Sequence, residues 1–184
     1  MDTTWWIVIA VVAALVVLAL LACGYVQSRR RTALKNQFGP EYDRTVSSAG
    51  SRRKAEHELA EREQVHEELD LQPLSEAARS RYLDDWKRAE QRFVDDPDLA
   101  ARDADRIVRS VLQEQGYPDD DFDTQAAAVS VDHPTVVERY RHGHQMVHGN
   151  GADGADRTED IRKAMVDFRT VFERVVESPE TVTR

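Results

Sequence analysis

The sequence has a single cysteine, Cys23, and therefore no pair that could form a disulfide within the chain. A disulfide framework of the kind found in small secreted domains is thus excluded. Aromatic residues make up only 7% of the chain. Outside residues 5–26, roughly a third of the residues are apolar, against about 45–50% in an ordinary globular chain. The rest of the chain can bury only a thin core.

Catalytic motifs are also missing. The sequence contains no GxSxG nucleophile elbow, no HExxH zinc motif, no CxxC pair and no phosphate-binding GxxxxGK[ST] loop. The glycine-rich stretch GNGADGAD at 149–156 is interpreted as a flexible loop. Because no residue can be assigned as nucleophile or base, we expect a protein that is not an enzyme and that uses no cofactor.

A membrane-spanning segment is the clearest feature that is present. Residues 5–26 contain 21 apolar residues and no charged one. A helix of this length measures about 33 Å, enough to cross a hydrocarbon core of about 30 Å. Trp5 and Trp6 at one end and Tyr25 at the other are amphipathic aromatic residues, which favour the membrane interface. The sequence therefore predicts a transmembrane anchor.

The charges on either side of this run predict its orientation. Asp2 is the only charged residue before it, whereas Arg29, Arg30, Arg31 and Lys35 follow it. Because cationic flanks remain on the cytoplasmic side, we expect an uncleaved single-pass anchor in the plasma (inner) membrane with the body in the cytoplasm. The same four residues either bind anionic lipids or act only as topology determinants.

A second interpretation is export. The sequence Leu20-Leu21-Ala22-Cys23 loosely resembles the lipobox that precedes a lipid-modified cysteine. A cleaved or lipidated exported form is therefore the alternative to an uncleaved anchor. The lack of positive charge before the apolar run argues against a secretory signal.

Charge is distributed unevenly along the chain. Residues 27–54 contain eight Lys or Arg residues and two acidic residues. Residues 55–184 contain 17 Lys or Arg residues and 31 acidic residues. An acidic body repels phosphate backbones, so nucleic acid is not an expected partner. We expect membrane lipids to contact the anchor and the basic linker, and a protein partner or a second copy to contact the body.

The pattern of the body is helical throughout. No window alternates as a strand does, whereas several place apolar residues three and four apart. We predict an all-α fold in which an N-terminal transmembrane helix and a polar helical stalk carry a small bundle of four to five amphipathic helices. The predicted segments are an N-terminal transmembrane anchor at 1–27, a basic juxtamembrane linker at 28–50, a polar helical stalk at 51–72, an α-helical domain at 73–178 and a C-terminal tail at 179–184.

Local signals divide the body into helices. Breaks are expected at Gly39-Pro40 and near Gly50, and the segment after them is polar on nearly every face, which favours a solvated stalk over half of a weak coiled coil. The later helices are expected to start at five places: at the N-cap Ser75, at Asp96-Pro97, after Pro118, at Asp132-His133-Pro134 and at about Thr158. The last helix is expected to stop at Ser178-Pro179. Their predicted buried stripes include Ala78, Tyr82, Trp86, Ala89 and Phe93 in the first, Ala100, Ala104, Ile107, Val108, Val111 and Leu112 in the second, and Ile161, Ala164, Phe168, Val171, Phe172 and Val175 in the last.

Two groups of residues have partial metal-site character. His144 and His148 are four apart, the spacing at which two imidazoles on a helix can share an ion, but His142 lies on another face and the sequence offers no third or fourth ligand. The acidic run at 119–123 fits a helix N-terminus better than a calcium loop. We therefore expect no metal site and interpret the histidines as core or surface residues.

A set of phrases in fixed order resembles a known family. They are SRRRT, FGPEYDRTV, ELAERE, LQPLS, RFVDDP, EQGYPDDDF, SVDHPTVVERYR and TEDIRKAMVDFRTVFE. Together they resemble a family of small single-pass membrane-anchored actinobacterial proteins of unknown function, over nearly the whole chain. The resemblance implies an anchored α-helical body and brings no catalytic residues.

The sequence leaves two alternative functions open. The first is a membrane-anchored, non-enzymatic helical protein that serves as a protein-protein interaction scaffold, adaptor or regulatory module at the cytoplasmic membrane face. The alternative is an exported envelope protein that senses or binds cations or protons through its acidic and histidine-containing helical domain.

Overall fold

The computed structural model describes residues 3–149 and 155–177, and this part of the chain is helical with no strand. The all-α prediction is therefore confirmed. Residues 150–154 of the loop predicted at 149–156, the stop at Ser178-Pro179 and the tail at 179–184 lie outside the described residues. The last two residues of that predicted loop, Ala155 and Asp156, belong instead to the last helix. The helices are α1 (Thr3–Phe38), α2 (Pro40–Ala49), α3 (Arg52–Glu67), α4 (Glu76–Arg92), α5 (Pro97–Glu114), α6 (Phe122–Asp132), α7 (Val137–His148) and α8 (Ala155–Glu177).

The first helix is longer than the predicted anchor. It runs without interruption for 36 residues, through the segment expected to be a linker, and ends at Phe38. Residues 28–38 contain neither glycine nor proline, so nothing breaks the helix before Gly39. The side chains from Val12 to Tyr25 are all exposed, and the helix is long and apolar enough to cross a membrane.

The helices α2 and α3 follow at two glycine turns. Gly39 and Gly50 both have positive φ, 47° and 69°, and lie at the predicted breaks. The helix α3 lies in the segment predicted to be a solvated stalk, but it is not solvated on every side. It packs against α2 and α6 and fully buries Ala55 and Leu59. These two residues are four apart and form a narrow apolar stripe, which the neighbouring helices cover. The small core there consists of Leu34, Phe38, Tyr42, Leu59 and Val131, with Val46 against it.

Side-chain caps set the starts of α4, α5 and α6. In each case the cap oxygen accepts a hydrogen bond from the backbone N–H three residues later, which satisfies one of the unpaired donors of the first turn. The pairs are Ser75 with Ala78, Asp96 with Leu99 and Asp121 with Thr124, at 3.1, 3.1 and 2.9 Å. The helices α7 and α8 begin at Val137 and Ala155, a few residues from the predicted positions.

The larger core lies among α4 to α8. Phe168 and Tyr140 are fully buried, and Trp86 stacks on Phe172 with ring centroids 4.5 Å apart. Most of the predicted stripe residues are buried there, whereas Phe93 and Ile107 are only partly covered. Both α5 and α7 pack against α8 and touch each other, which fixes the spacing of the polar groups between them.

Candidate functional site

Two histidines of α7 meet one carboxylate of α5. His144 and His148 are four apart and share a face of the helix. The Nδ1 atom of His144 lies 3.1 Å from Oδ1 of Asp105, and Nε2 of His148 lies 2.8 Å from Oδ2 of the same side chain. One carboxylate therefore accepts hydrogen bonds from two imidazoles at once.

Asp105 occupies an unusual position for an acidic residue. It lies on the apolar stripe of α5, between the fully buried Ala101 and Val108, and is itself only 4% exposed. Burial alone would raise the pKa of Asp105, but the hydrogen bonds and charges of His144 and His148 outweigh that effect and hold the pKa below its ordinary value. The carboxylate is thus kept ionised inside the protein.

Aromatic side chains form one wall of this cluster. The ring of Phe122 stacks on the imidazole of His144, with centroids 3.6 Å apart and planes within 6°. The Phe122 ring also lies 4.8 Å from the ring of Tyr140, whose hydroxyl donates to Oε1 of Gln125 at 2.7 Å. The opposite side is more open, since the His148 side chain is 41% exposed. His144 is therefore held in one orientation, whereas His148 borders solvent.

His142 belongs to a different pair. Its Nδ1 atom lies 2.5 Å from Oδ2 of Asp167 on α8, and Arg139 donates to the other oxygen at 3.0 Å. These residues line an open groove of about 500 Å³ between α7 and α8. His142 thus contacts another carboxylate than its two neighbours do, in line with its position on another face of α7.

A third histidine and carboxylate pair joins α3 to α6. Nε2 of His66 lies 2.5 Å from Oδ2 of Asp132, and the hydroxyl of Tyr117 donates to the same oxygen at 2.6 Å. Burial would raise the pKa of Asp132, but the hydrogen bonds from His66 and Tyr117 hold it below its ordinary value. This pair lies beside the small core and helps to attach α3 to the body.

A buried glutamate links α2, α3 and α7. The Glu41 side chain is fully buried, and its two oxygens accept hydrogen bonds from Arg62 at 2.8 Å and from Arg141 at 2.7 Å. Burial would raise the pKa of Glu41, but these two guanidinium groups hold it below its ordinary value. Arg44, which is 44% exposed, lies 3.6 Å from the same carboxylate.

The predicted membrane-interface residues all lie on α1. Trp5 and Trp6 are 70% and 68% exposed, and Tyr25 is 61% exposed near the other end of the apolar part. The guanidinium of Arg29 lies 5.2 Å from the centroid of the Tyr25 ring. The four cationic side chains, all exposed, are Arg29, Arg30, Arg31 and Lys35.

The other acidic residues considered are those of the run at 119–123 and the two aspartates, Asp153 and Asp156, of the stretch GNGADGAD. The acidic run lies at the N-terminus of α6, as predicted, and there Asp121 caps the helix, because its carboxylate accepts from both the N–H and the hydroxyl of Thr124. Asp156 lies in the first turn of α8, where the helix dipole favours a negative charge. Asp153 falls outside the described residues.

Asp105 is the residue that sequence reasoning missed. The pairing of His144 and His148 was visible from their spacing, but their common partner, Asp105, precedes them by 39 and 43 positions and lies on another helix. The one local signal was a charged residue within the apolar stripe of α5. Among the residues that the structure describes, Asp105, His144 and His148 form the group whose ligand atoms all lie within 4.8 Å of one another.

No protein-family model, curated protein or solved structure matches this chain. The resemblance carried by the sequence phrases therefore stays a prediction, and the function has to be inferred from the geometry.

Proposed function

We propose that this chain is a single-pass membrane protein whose cytoplasmic helical body binds other proteins, or a second copy of itself, as a scaffold, adaptor or regulatory module and catalyses no reaction. The observation that carries the proposal is the continuity of α1. One helix contains both the exposed apolar segment and residues that are buried in the body.

The junction is short and has no flexible element. Leu34 and Phe38, at the end of α1, are buried against Tyr42 and Leu59. Leu34 follows Val26, the last residue of the apolar run, by a distance of about 12 Å along the helix axis. A body attached in this way is held close to the headgroup layer in a fixed orientation, which suits a protein that presents a surface to partners at a membrane.

Charge supports the same arrangement. The exposed cations Arg29, Arg30 and Arg31 lie on the part of α1 between the apolar segment and the body, and the exposed Lys35 follows the buried Leu34. They match the positive flank that stays in the cytoplasm, and they favour contact with anionic headgroups. Residues 55–184 carry an excess of acidic residues, which favours partners with basic surfaces over nucleic acid.

Cross-linking in intact membranes tests the interaction. The full-length chain is cross-linked before extraction in mild detergent and purified through a C-terminal tag. A matched control carries residues 1–38 fused to an unrelated soluble domain, so that contacts made by the anchor alone are subtracted. We expect a partner or a second copy that the full chain retains and the control does not. Recovery of the chain as an uncross-linked monomer with no specific partner would contradict the proposal.

The second candidate function is an exported envelope protein that responds to cations or protons. The observation that favours it is the meeting of His144 and His148 at the buried carboxylate of Asp105. This candidate requires the body to lie outside the cytoplasm. The two functions therefore predict opposite locations for the C-terminus.

A further inference from the structure

We propose that Asp105, His144 and His148 bind one divalent transition-metal ion, with Zn²⁺ as the reference ion. The proposal goes beyond the interaction function, since it does not depend on a partner or on the orientation of the anchor. It depends on the geometry of three side chains from two helices, whose ligand atoms all lie within 4.8 Å of one another.

The separations between the ligand atoms fit a single ion. Nitrogen and oxygen ligands about 2.0–2.1 Å from a tetrahedral Zn²⁺ are roughly 3.3 Å apart. Oδ1 of Asp105 lies 3.1 Å from Nδ1 of His144 and Oδ2 lies 2.8 Å from Nε2 of His148, both close to that separation, and one ligand atom from each of the three residues lies within 4.8 Å of the other two. An ion placed among the three groups would replace the two hydrogen bonds that Asp105 accepts, and each imidazole would bind it through the nitrogen that now faces the carboxylate.

The ligand types select the class of ion. Two imidazole nitrogens and one carboxylate oxygen are the donors that bind Zn²⁺ and other late first-row divalent ions. Ca²⁺ takes six to eight oxygen ligands and Mg²⁺ prefers octahedral oxygen coordination, so neither matches this set. A buried ionised aspartate also supplies the negative charge that offsets part of the charge of the ion.

The surroundings favour an ordered site with one open side. The stacked ring of Phe122 restricts the imidazole of His144, and the burial of Asp105 restricts the carboxylate. His148 is the most exposed of the three side chains, so the ion can enter past it and a water molecule can complete the coordination. Because Asp105 is on α5 and the histidines are on α7, the ion would join these two helices.

Zinc binding by the full-length chain in detergent is the test. The chain carries a tag without histidine and the substitution Cys23→Ser, which removes its only thiol. Binding of Zn²⁺ alone is followed by isothermal titration calorimetry at about pH 7.5, where unperturbed imidazoles are neutral. We expect one ion per chain. The variants His144→Ala and His148→Ala should bind at least about 100-fold more weakly, because even indirect supporting groups typically change metal affinity by 10–100-fold.

Two histidine variants serve as controls. His142→Ala removes a neighbour on α7 that contacts Asp167 instead, and His57→Ala removes an exposed histidine of α3. Both should keep the affinity and stoichiometry of the parent chain. No binding by the parent chain, or equal binding by His148→Ala, would overturn the proposal.

A second readout starts from the parent chain and needs only one mild variant. Zn²⁺ at a concentration well above its dissociation constant should raise the melting temperature of the parent chain, because it binds the folded state that brings α5 and α7 together. The partly exposed His148 allows a mild variant, His148→Gln, whose melting temperature zinc should leave unchanged. An equal rise in both chains would place the ion elsewhere and contradict the assignment.

Discussion

Replacing Glu41 with alanine is expected to lower the free energy of unfolding by about 3–5 kcal/mol, the usual cost of removing one partner from a buried ion pair. Glu41 is fully buried and lies between Arg62 and Arg141, whose side chains are only 16% and 14% exposed. The substitution removes the buried carboxylate between the two guanidinium groups and leaves each with only a more exposed partner, Glu58 for Arg62 and Glu138 for Arg141. It also removes the buried polar link from α2 to α3 and α7. Thermal unfolding in detergent, followed by the near-ultraviolet circular dichroism of the aromatic core, measures the loss.

Arg44→Ala is the matched control for this substitution. Arg44 also pairs with Glu41, but it is 44% exposed, so solvent screens the interaction and a change below about 1 kcal/mol is expected. The pH dependence gives a further check. Because the pKa of Glu41 lies below its ordinary value in the folded state, the stabilisation is present above about pH 4.5 and is lost as the pH falls through the folded pKa. The difference between the parent chain and Glu41→Ala should therefore shrink in acid. Equal effects of the two substitutions would contradict the assigned network.

Replacing Gly116 with alanine is expected to cost about 3–4 kcal/mol. Gly116 ends α5 with φ at 100°, a conformation that side chains rarely adopt. The N–H of Tyr117 bonds to the carbonyl of Leu112 and that of Gly116 to the carbonyl of Gln113, both at 3.0 Å, which is the pattern of a Schellman motif. A Cβ atom at this position would lie 2.5 Å from the carbonyl oxygen of Asp70.

The clash at Gly116 involves backbone and cannot be relieved by a side-chain rotation. The segment after α3 is also tied to this turn, because the N–H of Gln72 bonds to the carbonyl of Gln115 at 2.9 Å. Gly50→Ala is the matched control, since Gly50 has φ at 69° but a Cβ atom there would meet no other atom within 4 Å. Only backbone strain of about 1–2 kcal/mol is expected there. Urea unfolding of both variants compares them, and a Gly116→Ala loss no larger than that of Gly50→Ala would contradict the close approach.

Helix boundaries could be predicted where the signal is local. Ser75, Asp96 and Asp121 cap helices through atoms only three residues away, and the turns at Gly39 and Gly50 depend on backbone conformation alone. The continuation of α1 to Phe38 was missed because the basic residues were interpreted as a linker. Charged residues do not end a helix, and the first residue after the basic cluster that does end it is Gly39.

The packing of α3 and the candidate metal site needed the structure. Leu59 is one apolar residue on a polar helix, and its burial depends on α1, α2 and α6 meeting at the same place. Asp105 meets His144 and His148 only because α5 and α7 are adjacent, which no local pattern specifies. The three-residue group therefore arises from long-range contacts, whereas the spacing of the two histidines was visible in the sequence.

The location of the C-terminus tests the central claim most directly. Fusing one reporter that is active only in the cytoplasm, and separately one that is active only outside, after Arg184 gives opposite readouts for the two orientations. The positive flank predicts a cytoplasmic signal, and replacing Arg29, Arg30, Arg31 and Lys35 with glutamate should weaken that preference. An external signal from the parent chain would contradict the cytoplasmic interaction module and would make the exported, cation-responsive function the leading one.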